Sequence, residues 1–197
     1  MRKAVLITWL GIVVLGMALL FWHNEWVYTL PTPVPQHYTA VQSGAVIDLS
    51  RNMAMSRDKP MFLHFFNPTC PCSRFNMPHF KELVKEYGQS VDFAIVVMSD
   101  KEYTEKEIQE KYGLPLPVYF DSAIAASCGV YSTPQAVIIN NDQRLHYRGN
   151  YNKSRYCTDK KSNYAQIALE GLLSKKPVQL DMLATKAYGC QLPKCSK

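Results

Sequence analysis

The stretch MFLHFFNPTCPCSRFN, residues 61–76, decides how the rest of the chain is read. Its first six residues, Met61 to Phe66, form a mostly apolar run, the pattern of a strand buried on both faces. Past Cys70-Pro71-Cys72, Met77, Phe80, Leu83, Val84 and Tyr87 recur at three- and four-residue steps, the apolar stripe of a helix that stops at Gly88. Two thiols therefore stand where a buried strand turns into a helix. A helix N-terminus carries partial positive charge and unsatisfied N–H groups, which favour thiolate over thiol. The thiolate is the species that attacks disulfides, peroxides or metals. Ser73 or Cys72 is placed to cap the helix.

Working outward, Ala45 to Leu49 reads as a short strand and Val91 to Met98 as a buried one. Thr104 to Tyr112 makes a charged helix ended by Gly113, Val118 to Phe120 a short strand, and Ser122 to Cys128 a short helix ended by Gly129. Gln135 to Asn140 and Arg144 to Arg148 flank Asn141-Asp142-Gln143, a hairpin signature. Tyr164, Ile167, Ala168, Gly171 and Leu172 mark a last amphipathic helix. Alternation early and antiparallel pairing late predict an α/β domain with a mixed sheet flanked by helices.

With 197 residues, 47% of them apolar, the chain suits one well-filled domain. Its net charge of +6 is uneven, with eleven Lys/Arg against three Asp/Glu from Arg144 to Lys197. That basic third reads as a solvated face, and no zinc-finger spacing, RNA-binding aromatic signature or arginine-rich arm points to nucleic acid. Ala4 to Trp22 is a 19-residue run without charge. At about 1.5 Å per residue it nears the thickness of a bilayer core. Arg2 and Lys3 would hold its start in the cytoplasm. Phe21-Trp22-His23-Asn24-Glu25-Trp26 offers no small-residue cleavage site, so the run reads as an uncleaved anchor. Prolines at 31, 33 and 35 make a stiff extended stalk. The expected organisation is an anchor over 1–24, a Pro-rich linker over 25–44, a domain over 45–175 and an extension over 176–197. The domain would face the periplasm or another extracytoplasmic side of the inner membrane, where disulfides persist.

Strand, cysteine turn, helix, strand and then Ser132-Thr133-Pro134 before an apolar strand resembles the thioredoxin fold. More closely, the chain looks like the membrane-anchored redoxins of the TlpA/ResA and AhpC/TSA kind. Three local matches carry the resemblance: the cysteine turn after MFLHFF, Gly129-Val-Tyr-Ser-Thr-Pro134, and Leu145-His-Tyr-Arg-Gly149. The segment from Asp100 to Pro117 is similar to the insert that redoxins carry. The resemblance implies a thiol–disulfide oxidoreductase with Cys70 and Cys72 as its redox pair and Pro134 as the cis-proline facing them. It places His64 where the family has a buried proton relay, a role for which an imidazole titrating near neutral pH is suited. It also puts Cys128 at a helix end from which it could act as a resolving thiol. Partners would be exported proteins with cysteines or disulfides and a membrane or periplasmic redox partner.

The departures matter as much. The family's usual pair is C-x-x-C, whereas this chain has C-x-C, whose disulfide would close a very small ring and be readily reduced. Cys70 is expected to be the more exposed nucleophile and Cys72 its resolving partner, with the reverse assignment open. The peroxiredoxin pattern is incomplete, since Thr69 stands three before Cys72 but Phe65 replaces the leading proline. A competing reading is a copper-binding module using Cys70, Cys72, Met77 and His79, because soft thiolate and thioether ligands suit Cu(I). Thr185-Lys-Ala-Tyr-Gly-Cys190 looks like the ending of some redoxins. Among Cys157, Cys190 and Cys195, a Cys157–Cys190 bond tying the tail to the domain is one of three possible pairs.

Overall fold

A computed structural model describes residues 2–26, 29–54, 56, 58–154 and 156–192. The chain runs α1 (Arg2–Phe21), β1 (Met61–Phe66), α2 (Pro71–Tyr87), β2 (Asp92–Val97), α3 (Glu105–Tyr112), β3 (Val118–Tyr119) and α4 (Ser122–Cys128). It continues with β4 (Ser132–Thr133), β5 (Gln135–Ile139), β6 (Leu145–Gly149), α5 (Tyr164–Ser174), α6 (Met182–Thr185) and β7 (Cys190–Gln191). Five strands make one sheet in the order β3-β2-β1-β5-β6, and β4 pairs separately with β7. β1 lies at the centre, parallel to β2 and antiparallel to β5. This explains why all six of its residues are buried: a strand with neighbours on both edges and helices on both faces has no solvent side. The mixed sheet flanked by helices is the expected thioredoxin fold, and Thr133–Pro134 is cis as the resemblance implied.

The pleat of β1 distributes its side chains between two cores. Phe62 and Phe66 pack with Met77, Phe80 and Leu83 of α2 and with the apolar faces of α3 and α5. Met61, Leu63 and Phe65 face the other way, onto Ile124, Ala125 and Cys128 of α4 and onto Ile47 and Leu49. Only Val46 of the predicted strand over 45–49 makes a ladder bridge, to Arg144 at the hairpin, because that segment meets the sheet only at its edge.

Two segments differ from the sequence reading. The stretch expected as a free stalk is seated on the domain, with Thr32 only 3% exposed. The Thr32 amide donates to the Ala187 carbonyl at 2.9 Å, and Pro31 bridges Tyr188. Proline prevents only its own N–H from joining a ladder, so the intervening Thr32 remains free to pair. The tail is likewise part of the fold. The Asn150 side-chain amide donates to the carbonyls of Leu183 and Lys186, both at 2.7 Å, which turns the chain back toward β4. Helix α1 is apolar all round and buries none of its residues against the domain. Cys195 lies outside the described residues.

Candidate active site

The turn between β1 and α2 is organised by Asn67. Its Oδ1 accepts from the Thr69 amide at 2.9 Å and the Thr69 hydroxyl at 2.7 Å, and its carbonyl accepts from the Cys70 amide at 3.0 Å. The Asn67 amide in turn donates to Ser73 Oγ at 3.1 Å. Ser73 therefore closes the turn rather than capping the helix, and the N-cap position belongs to Cys70, with extended backbone. Pro71 fills the first helical position, where its missing N–H costs nothing. Helix α2 thus begins before its apolar stripe does, and Cys72 sits inside its first turn.

The sulfur atoms of Cys70, Cys72 and Cys190 all lie within 4.8 Å of one another. All three residues are buried, Cys70 at 0% exposure, Cys72 at 4% and Cys190 at 1%. Of the three, Cys72 lines a cleft of about 370 Å³, together with Asn76, Pro134, Tyr151 and Gly189. Cys72 rather than Cys70 is thus the more exposed of the two, the order opposite to that expected, and it is the thiol that a ligand in the cleft would meet.

Cys190 reaches the pair because β7 runs antiparallel to β4, placing Cys190 opposite Thr133 and Gln191 opposite Ser132. Gly189 has φ +147, and a Cβ there would collide with the Thr133 carbonyl, so only glycine admits this approach. Its carbonyl accepts from Thr32 Oγ1 at 3.0 Å. The Cys157–Cys190 bond is not formed. Cys157 instead donates its thiol to Asn76 Oδ1 at 2.9 Å, and burial pushes its pKa up to about 12.

Cys128 stands apart from the cluster, in the core layer with Leu63 and Phe65. Burial pushes its thiol up to about 12, with the Arg148 charge acting weakly against that rise. Met77 and His79 do not join the cysteines either. Met77 packs with Phe62, Phe66 and Phe80, and His79 turns Nδ1 toward Glu82 at 3.7 Å.

His64 is wholly buried on the α2 side of β1, stacked on Phe80 with ring centroids 4.3 Å apart. Its Nδ1 shares a hydrogen bond of 2.5 Å with the Tyr151 hydroxyl. Burial drives the imidazole pKa down to about 3, so His64 stays neutral rather than titrating near pH 7 as expected. Tyr151, raised well above the usual phenol range by its own burial, stays protonated. The unfolded imidazole takes up a proton below about pH 6.5 and the folded one only near pH 3, so stability falls on acidification across that window. The slope contributed is roughly 1.4 kcal/mol per pH unit. His79, also lowered by burial, acts in the same direction. His64→Phe is expected to remove about one proton from the pH dependence of denaturant unfolding between pH 6 and 4. An unchanged slope would show that His64 is not the group responsible.

Asn76, Tyr151 and Cys190 were not expected at the site. Asn76 stands one helical turn after Cys72 and donates to the Cys72 carbonyl at 3.0 Å, a spacing visible in the sequence. Cys190 was signalled by the redoxin-like ending Thr185–Cys190, but as a tie to Cys157 rather than as a member of the cysteine turn. For Tyr151, beyond the hairpin, no local signal exists.

A buried dithiol turn at the start of a helix, a cis-proline beside it and a mixed sheet behind it define a thioredoxin-like redoxin with a C-x-C turn. Comparison with known proteins agrees. The chain belongs to the family described as a domain of unknown function, DUF6436, whose match covers residues 39–195. It is 31% identical over 85 residues to the thiol-disulfide oxidoreductase ResA of Halalkalibacterium halodurans, a match covering 42% of this chain and 48% of that protein. The chain thus spans about half the length of this curated relative. Two solved structures share the fold, each with a TM-score of 0.64. A hypothetical protein of Sinorhizobium meliloti 1021 is 16% identical, with 79% of this chain and 96% of that one covered. An uncharacterized conserved protein of Geobacillus kaustophilus is 19% identical, with 84% and 100% covered.

Proposed function

We propose that this protein is a membrane-tethered thiol–disulfide oxidoreductase whose domain works on the extracytoplasmic side, exchanging disulfides with exported proteins and with a membrane or periplasmic redox partner. The observation that carries the reading is Cys72 in the first turn of α2, lining the cleft beside Pro134 with two further sulfur atoms within 4.8 Å. The Cys72 thiolate attacks one sulfur of a substrate disulfide, forming a mixed disulfide and expelling the other sulfur as thiolate. A second thiol of the site then attacks the Cys72 sulfur and releases the substrate. Two electrons pass to the substrate, and the two protons given up by the site's thiols match those its leaving thiolates take up. The reverse sequence oxidises a substrate dithiol. His64, neutral and buried, orients the Tyr151 hydroxyl rather than carrying charge. Anchoring in a membrane is supported by α1, whose apolar surface has no cover from the domain.

A glutathione redox titration of the full chain in detergent, with mass-resolved thiol labelling, tests this. Reversible two-electron oxidation involving Cys72 is expected, and cysteines that stay reduced throughout would sink the reading. A potential above about −200 mV identifies an oxidant or isomerase, and one near −270 mV a reductant. A second reading, Cu(I) binding, is favoured by the same approach of three sulfur atoms, with Cys190 in place of Met77 and His79. Copper analysis of the reduced chain decides it, since a stoichiometric ion lost in Cys72→Ser supports it and an absent one removes it.

A further inference from the structure

We infer that Cys190 is the thiol that resolves Cys72, so that the redox couple of this site is Cys72–Cys190 and the C-terminal strand belongs to the catalytic centre. The inference rests on disulfide exchange at Cys72 and adds to it the identity of the partner.

Geometry distinguishes the two candidate partners. Cys70 and Cys72 share the first turn of one helix, Cys70 as the extended N-cap with φ −81 and ψ 124, and Cys72 two residues on. A bond between them must close a ring over a single intervening proline, which forces that turn away from helical geometry. Cys190 approaches from a separate strand, so a bond from Cys72 to Cys190 leaves the helix start intact. Its sulfur is already within 4.8 Å of Cys72. A disulfide is about 2 Å long, so rotation of the two side chains with a small shift of β7 supplies the remainder.

The placement of Cys190 is held from both sides. Cys190 pairs with Thr133 in the β4–β7 ladder, Thr32 donates to the carbonyl of Gly189, and Pro31 bridges Tyr188. Tyr188 and Gly189, which lead directly into Cys190, line the cleft with Cys72 and Pro134, while the side chains of Cys70 and Cys190 both lie behind it. A substrate bonded to Cys72 therefore lies beside the strand that carries Cys190.

The step balances. Cys72 holds the substrate as Cys72–S–S–R. The Cys190 thiolate attacks the Cys72 sulfur, a new S–S bond forms as the S–S bond between Cys72 and the substrate sulfur breaks, and RS⁻ leaves with the electron pair. Cys72–Cys190 is the oxidised product, and the proton from Cys190 is the one RS⁻ takes up. Cys70 is neither oxidised nor consumed.

The test uses the full chain in detergent with oxidised glutathione as the probe disulfide, followed by alkylation, digestion without reduction and mass spectrometry. The expected product is a linked peptide pair joining Cys72 to Cys190, retained in Cys70→Ser. In Cys190→Ser that pair is lost and glutathione persists on Cys72. A Cys70–Cys72 loop with Cys190 alkylated would overturn this inference while leaving disulfide exchange standing. Failure of glutathione to oxidise any of the three would overturn both. If Cys190→Ser does not fold, the linkage found in the unsubstituted chain still decides between these outcomes.

Discussion

Replacing Cys72 with serine is expected to abolish disulfide exchange while leaving the domain folded. Turnover of a disulfide substrate should fall on the order of 10³-fold or more, the scale on which an enzyme loses rate when its nucleophile is removed. A serine hydroxyl offers no thiolate, and neither neighbouring sulfur can take over from where it stands. Cys70 is fully buried and absent from the cleft, and Cys190 is held in the β4–β7 ladder. The exchange of sulfur for oxygen changes side-chain volume little. The serine also replaces a largely buried thiol, so stability should drop by only about 1–3 kcal/mol. Trapping separates the roles, because Cys190→Ser should hold a mixed disulfide at Cys72 whereas Cys72→Ser should form none. A substrate captured on Cys70 in the Cys72→Ser protein would show that the cleft-facing thiol is not the attacking one.

Gly189→Val should release the C-terminal strand. Valine at φ +147 is strained whatever space surrounds it, and its Cβ would meet the carbonyl of Thr133, the residue opposite Cys190. Strain of this kind costs about 2–3 kcal/mol. It falls on a two-residue ladder at the end of the described chain, so the chain relieves it by opening β7 rather than by unfolding the sheet. Alkylation of Cys190, buried at 1% exposure, should then accelerate roughly 30- to 150-fold, the ratio that this free energy represents. The same change should slow resolution of substrate from Cys72. Unaltered labelling of Cys190 would show that β7 is not held by the close approach at Gly189. The two substitutions probe different links, one the chemistry at the sulfur and the other the placement of its partner.

Much of the architecture was legible because it is encoded locally. Met61–Phe66 reads as a strand buried on both sides and is the central strand. Ser122–Cys128 reads as a short helix and forms over those same residues. The Asp100–Pro117 insert supplies α3, where Thr104 and Glu107 make a reciprocal capping box. The cysteine turn was legible too, through a proline between two thiols before an apolar stripe. The helix start was read two or three residues late, with the cap at Cys72 or Ser73, whereas Cys70 is the N-cap and Pro71 already opens the helix. His64 was placed correctly as a buried residue, yet its expected charge behaviour was wrong. The identity of a histidine says nothing of the apolar rings stacked on it, and burial among Phe66 and Phe80 decides its protonation.

The sequence by itself determined the elements that follow from residues close in the chain. These are the apolar helix α1, the β1–turn–α2 unit with its two thiols, and the hairpin of β5 and β6, while the cis-proline before β5 is what the family resemblance implied. Tertiary structure alone decided which thiol faces the cleft, which third cysteine joins the pair, and that the Pro-rich segment lies on the domain. Those outcomes depend on contacts between residues separated by fifty to more than a hundred positions: Thr133 with Cys190, Thr32 with Gly189, and Tyr151 with His64. Local periodicity records which face of an element is apolar. It does not record which distant segment comes to cover that face, because that choice is made by the packing of the whole domain.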